Sequence, residues 1–306
     1  RTKWTRRGPH PVLIGHAAVQ ARDLDAALAA VAHDPRSVTR RLRAPPGGAA
    51  PDVRVGAAGG GAAGEEEEEG GADSEAPPVD VLALVPGDLA ARLLAPGRWQ
   101  DKRELLDMLV AAAEAPAIAP GDYSELVRAL RVLLGDSMVL LVQSSIRALG
   151  LLGAGLGAGF RAEACALASP LLDKLKDKNR GVVEATHRTL DLLIAHACSL
   201  DDLEQPLRAA LGRGATPRVR AEALKLLARS LAALGARRAP AEWWVTGAVL
   251  ETLDDGSGEV RDQAAAAAAP LVRLVGARAV FAKADAMGLD PKRRKRLEAS
   301  AQPPPL

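Results

Sequence analysis

From residue 79 to residue 301 apolar residues recur with a period near that of a helix, broken by short polar stretches rich in Gly and Pro. Five of these breaks are followed by the same pattern. Take Asp101, Asp136, Asp177, Gly214 and Asp255 as reference points. Five residues on stand Leu106, Leu141, Val182, Val219 and Val260, and nine on stand Val110, Ser145, Thr186, Ala223 and Ala264. Sixteen on stand Ala117, Leu152, Leu193, Ser230 and Leu271. These offsets fall close to one face of a helix with 3.6 residues per turn. The reference points lie 35 to 41 residues apart, the spacing of stacked helix pairs. One pair cannot bury such a stripe alone, so the pattern predicts pairs that stack and share a core.

The breakers divide this zone into an all-α solenoid of about six HEAT-like helix pairs. Pro86-Gly87 precedes a helix ending near Ala95, and Pro96-Gly97 turns the chain into the helix holding Leu105, Leu106 and Leu109. Asp122 is the expected N-cap of a helix through Leu134, and Ser199 or Asp201 that of a helix through Leu211. Pro217 suits a first helical turn. Pro240 opens a fifth pair, and a sixth runs from Ala277 to Ala301 with a break at Gly288. Residues 1–43 carry basic clusters and one short helical pattern, 23–33. Residues 44–78, rich in Gly, Ala, Pro and the glutamates of 65–69, read as a disordered linker. Residues 302–306 form a Pro-rich tail. The chain begins at Arg1, as expected of a fragment of something longer.

Composition narrows the function. Alanine inflates a hydrophobic content of 48%, while aromatics make up only 2%, which favours closely packed helices over sheets. A net charge of +2 excludes a bulk polyanion binder, although five consecutive basic residues occupy 292–296. Cys165 and Cys198 stand alone and provide neither a disulfide framework nor a zinc site. No apolar stretch reads as a membrane span or a signal peptide, so a soluble intracellular protein is expected.

No motif supports catalysis, a cofactor or a metal. The glycines of 153–159 lack the preceding strand and the following Lys-Ser or Lys-Thr of a phosphate loop, and read as an inter-repeat loop. His187 and His196 sit in no ligand pattern, and a packed or solvated role is expected for both. No nucleophile elbow or carboxylate pair is present.

The turns carry the chemistry. Trp99 stands among Gln100, Asp101, Lys102 and Arg103, as an interface anchor would. Lys174, Lys176, Lys178 and Arg180 crowd the third turn, Arg213, Arg218 and Arg220 the fourth, and Arg261 the fifth. Stacking would align them along one edge. Asp101, Asp136, Asp177, Asp254 and Asp255 in the same turns oppose nucleic-acid phosphate and favour an acidic protein surface. A generic HEAT-repeat scaffold with some other protein partner is the alternative.

The turns also resemble the TOG domain of the XMAP215/Dis1 microtubule-polymerase family. Residues 99–104 look like its Trp-x-x-Arg/Lys-Lys/Arg-Glu start, 121–126 the start of its second repeat, 171–179 its lysine-rich third turn, and 254–261 its fifth. The likeness covers 79–301. It implies a non-enzymatic module that holds an αβ-tubulin dimer or microtubule end along its turn edge, in the cytoplasmic microtubule cytoskeleton, spindle or centrosome. No membrane or nucleic-acid partner is implied, and further TOG modules in a longer chain are. By that resemblance Trp99, Lys102 and Arg103 would meet β-tubulin, extended by Ser137, Met138, Lys176 and Lys178. Arg218 and Arg261 would meet α-tubulin.

Overall fold

The computed structural model describes residues 77–235, 239–240 and 243–301. The segment 1–43, nearly all of the 44–78 linker and the tail 302–306 lie outside them. The described residues contain helices and no named strand. In chain order they are α1 (Val81–Leu84), α2 (Leu89–Leu94), α3 (Trp99–Ala113), α4 (Ser124–Leu133) and α5 (Val139–Leu156). Then come α6 (Arg161–Lys174), α7 (Arg180–Leu192), α8 (Glu204–Leu211) and α9 (Pro217–Ala233). The last four are α10 (Trp244–Thr252), α11 (Gly258–Val275), α12 (Ala277–Ala286) and α13 (Pro291–Ala301). From α2 onward consecutive helices form pairs in two rows, and the last two, α12 and α13, pack chiefly on α10 and α11 of the fifth pair. The odd-numbered row, α3 to α13, stacks in sequence, tightest at α3–α5, α5–α7 and α9–α11 and loosest at α7–α9.

The apolar ladder is the core. Every residue at the five- and nine-residue offsets is buried, including Ser145 and Thr186. Full burial of each leucine stabilises by about 2 kcal/mol. Thr186 is accommodated because its Oγ1 donates to the Val182 carbonyl, 2.8 Å away. The ladder fails once. α3 stops at Ala113, so Ala117 lies past its end and only half-buried. Ile118 fills the core instead and pairs with Val79 in an isolated parallel bridge. With α1, capped by Asp80 Oδ1 on the Ala83 amide at 3.1 Å, this bridge covers the open end of the first pair. The sequence pattern gives no hint of it.

Residues 153–159 are not a loop. α5 runs on to Leu156, a 3-10 turn (Gly157–Phe160) follows, and α6 begins at Arg161. The glycines are small because neighbours come close. A Cβ at Gly150 would lie 2.7 Å from Thr189 Oγ1, and one at Gly153 2.3 Å from Leu193. Leu193 belongs to a π-helical turn, Leu193–Ala197, that widens the end of α7. Helix Val139–Lys174, counted through the 3-10 turn, is long and apolar enough to pass for a membrane span, contrary to the sequence reading. Half of its most apolar window is buried, and α5 packs between α3 and α7 as a core helix.

Capping differs in detail from expectation. Asp122 Oδ1 accepts from the Ser124 amide (3.0 Å) one residue ahead of the cap position. Ser199 and Asp202, not Asp201, close the turn before α8: Asp202 Oδ2 accepts from the Ser199 amide and Oγ, each at 2.9 Å. Arg161 of α6 pairs with the same carboxylate, and chiefly through that bond holds it down at about 2.

Polar groups hold the loose α7–α9 seam. Arg229 donates from Nε and Nη2 to Asp191 at 3.1 and 3.2 Å, and its Nη2 lies 2.9 Å from His187 Nδ1. A guanidinium only donates, so Nδ1 accepts. Nε2 therefore carries the hydrogen and donates to Glu222 Oε2 at 2.7 Å. His187 is neutral in this arrangement. Burial lowers its pKa, and the Arg229 charge adds to this, outweighing Glu222 and Asp191.

Two outcomes follow from this packing. Gly150→Ala should destabilise by about 1–3 kcal/mol in urea unfolding, because Thr189 cannot move without parting α5 from α7. For His187 the unfolded chain binds the proton more readily than the folded one. Its stabilising contribution is therefore complete above the ordinary imidazole value near 6.5 and lost as pH falls through the lower folded value. The melting temperature should drop more between pH 7 and 5 in the wild type than in His187→Gln.

Candidate protein-binding edge

The recurrent aspartates shape the turns. Asp136 Oδ1 accepts from the Met138 amide at 2.8 Å, Asp177 Oδ1 from Asn179 at 2.8 Å, and Asp255 Oδ1 from Ser257 at 2.9 Å. Each satisfies an amide just ahead of a helix that has no intrahelical partner. Where Gly214 replaces aspartate, Thr216 takes over as N-cap, with Oγ1 3.4 Å from the Val219 amide. Asp101 differs, since it lies inside the first turn of α3. It pairs with Arg98 at 2.7 Å, and that hydrogen bond lowers its pKa.

The side chains named from sequence sit on these turns in different states. Trp99 is the first residue of α3 and half-buried against the core. Together with Gly97, Lys102, Ser137 and Met138 it lines an open groove that joins the first and second turns. Ser137 is exposed at the rim, while Met138, the N-cap of α5, offers no side-chain cap and packs inward. Arg103 lies outside the groove lining and pairs with Asp107 at 3.5 Å. Lys176 pairs with Asp173 at 2.5 Å. Lys178 and Arg218 are exposed, and among the described residues their side chains have no hydrogen bond or ion pair. Arg261 folds back, its Nη1 donating to the carbonyls of Asp255 (2.7 Å) and Gly256 (3.1 Å).

Cross-links between turns were invisible in the sequence. Gln143 Nε2 donates to Asn179 Oδ1 at 3.3 Å, tying α5 to the third turn. Arg220 reaches the next repeat: its Nε lies 2.7 Å from Asp255 Oδ2 and its Nη2 3.0 Å from Oδ1, with both side chains nearly buried at 11% and 8% exposure. Burial would push the Asp255 carboxyl up, but the Arg220 and Ser257 hydrogen bonds and the Arg220 and Arg213 charges together bring it below its ordinary value. Arg293 of α13 binds Asp254, so the sixth turn is tied to the fifth. A second groove, lined by Arg213, Arg220, Asp254, Met287 and Arg293, runs along turns four to six. Among the described residues no hydrogen bond or ion pair links the third turn to the fourth; the seam network of α7 and α9 does that work. Arg220 and Asp255 share their turns with surface charges, and only a 35-residue separation, one repeat, hints at the pairing.

No family model matches the chain. Over 211 residues it is 31% identical to Protein mini spindles of Drosophila melanogaster, covering 66% of this chain and 10% of that protein. Over 189 residues it is 31% identical to Centrosomal protein 224 of Dictyostelium discoideum, covering 60% of this chain and 9% of that one. Against Spindle pole body component alp14 of Schizosaccharomyces pombe the figures are 27% over 276 residues, 86% and 33%. The chain thus spans between about a tenth and a third of these relatives. Two solved structures superpose on it. One comes from work on microtubule plus-end tracking by XMAP215, CLIP-170 and EB1, with TM-score 0.63 and 29% identity over 73% of this chain and 92% of that one. The other comes from work on microtubule polymerases with TOG domain arrays, with TM-score 0.64 and 26% identity over 75% and 48%. This chain belongs to the TOG-domain family of XMAP215-type proteins.

In this TOG domain the Arg220–Asp255 pair sets the register of turns four and five. Arg220→Ala leaves a nearly buried carboxylate without its partner and should cost about 3 kcal/mol. The depressed Asp255 pKa adds a pH signature. Its stabilisation is complete above the ordinary carboxylate value and lost as pH falls through the lower folded one. Urea titrations from pH 7 to pH 3 should show this acid-side decline in the wild type and a smaller one in Arg220→Ala.

Proposed function

We propose that this chain is a non-enzymatic tubulin-binding module of a larger microtubule-associated protein, with the TOG domain at 79–301 holding αβ-tubulin along its turn edge. The carrying observation is the groove shared by the first two turns, with a half-buried tryptophan at its head. Trp99 keeps one side on the core and offers the rest, which suits a preorganised anchor. Lys102 beside it, then Lys178 and Arg218, supply positive charge that no carboxylate among the described residues consumes. Arg103 and Lys176 are paired, but exposed pairs are worth only about 0–1 kcal/mol and exchange readily for a partner's carboxylates.

Trp99, Lys102 and Arg103 contact β-tubulin in this reading, and Ser137, Met138, Lys176 and Lys178 extend that contact. Arg218 and the free end of the Arg261 guanidinium face α-tubulin. The polymerases of the superposed structure recruit and assemble tubulin through TOG arrays. One array gives binding, while promotion of polymerisation at plus ends requires linked modules that raise local concentration. The setting is the cytoplasmic microtubule cytoskeleton, at spindle or centrosome, as the names of the relatives suggest.

Size-exclusion chromatography with unpolymerised tubulin tests the reading. Trp99→Glu should weaken association by about thirtyfold or more, the loss of an interface hot spot, with helicity by circular dichroism unchanged. Wild-type co-elution should fall as salt rises. Undiminished co-elution of Trp99→Glu would refute it.

A further inference from the structure

The five basic residues of 292–296 divide into two sets on α13. Arg293 and Arg294 are engaged: Arg293 with Asp254 and, at 3.2 Å, Asp290; Arg294 with Asp285 and, at 3.3 Å, Glu298, its guanidinium 5.8 Å over the Phe281 ring. Leu297, next to Arg293 on the helical wheel, is fully buried, so that face looks inward. Lys292, Lys295 and Arg296 stand at i, i+3 and i+4 on the opposite face, with no carboxylate partner among the described residues. Bonding of Arg293 to Asp254 seats α13 beside the fifth turn, at the end of the edge remote from Trp99.

We infer that the Lys292–Lys295–Arg296 face of α13 is a docking surface for an extended acidic peptide, a site separate from the turn grooves and independent of what occupies them. The spacing fits. Lys292 and Arg296 are one helical turn apart, about 6 Å along the axis. Carboxylates on one side of an extended chain repeat at about 6.4–6.8 Å, so successive alternate acids can meet successive cations. The face carries no large apolar side chain, so an amphipathic helix gains nothing there. It carries no aromatic for base stacking, and the carboxylates beside it, Asp285, Asp290 and Glu298, are already paired with Arg293 and Arg294, which leaves the three cations to a ligand.

The test uses the full 306-residue chain and a fluorescein-labelled oligoglutamate peptide, followed by anisotropy at low salt. Wild type should bind it, with affinity falling as salt is added. K292Q/K295Q/R296Q, which leaves Arg293, Arg294 and Leu297 in place, should bind about tenfold more weakly at unchanged helicity, three surface charge pairs being lost. Trp99→Glu should bind the peptide as wild type does, so that a failure of tubulin binding and a failure of this site are told apart. The inference is overturned if the triple variant matches wild type, if wild type does not bind the peptide at low salt, or if Trp99→Glu abolishes that binding. It is also overturned if the triple substitution weakens binding of a short DNA duplex but not of the peptide.

Discussion

Each helix pair in this domain exposes an apolar stripe that it cannot cover itself, and the packing of one odd-row helix along the next is what closes the core. Leu106, Leu141, Val182, Val219 and Val260 are buried only because another pair lies on either side or, at the ends, a substitute does. At the first pair that substitute is α1 and the Val79–Ile118 bridge; at the other end α13 of the sixth pair, with Leu297 buried, packs on α11 of the fifth. Where neighbours press closest, as at α5–α7, glycine replaces side chains at 150 and 153. Where they part, at α7–α9, the His187, Glu222, Arg229 and Asp191 network takes over. Along the odd row, therefore, two closely stacked stretches meet at a polar seam, while in the even row α6 still packs directly on α8.

The same economy shapes the edge. Aspartates that counted against a polyanion ligand are committed to backbone amides at Asp136, Asp177 and Asp255, and the last also binds Arg220. Their charges orient turns, and beside them Lys178 and Arg218 have no ion pair among the described residues. Arg220 and Arg261, which look equivalent in the repeat, do different work: one is a strut between repeats, the other a brace on its own turn.

Periodicity made the solenoid legible because an apolar stripe at helical spacing has few other uses, and glycine and proline marked the turns. It misread residues 153–159, since glycine signals a turn and a close helix contact alike. It missed α1 and its bridge because four residues carry no period. The half-buried state of Trp99 was foreseeable from its place between charged neighbours and a helix start. The partners of Arg220, Arg293 and His187 were not, because each lies about a repeat away in sequence and only the stacking register decides which charges meet. Inward packing of Met138 was equally hidden, as a methionine among polar residues gives no direction.

Hydrogen–deuterium exchange of the whole chain, with and without unpolymerised αβ-tubulin, bears most directly on the claim that the turns form the binding edge. Protection should appear in the turns at 95–98, 134–138, 175–179, 212–216 and 253–257, which precede the odd-row helices α3 to α11. Protection confined to the opposite edge, at 114–123, 198–203 or 276, with those turns exchanging as freely as in the unbound chain, would contradict it.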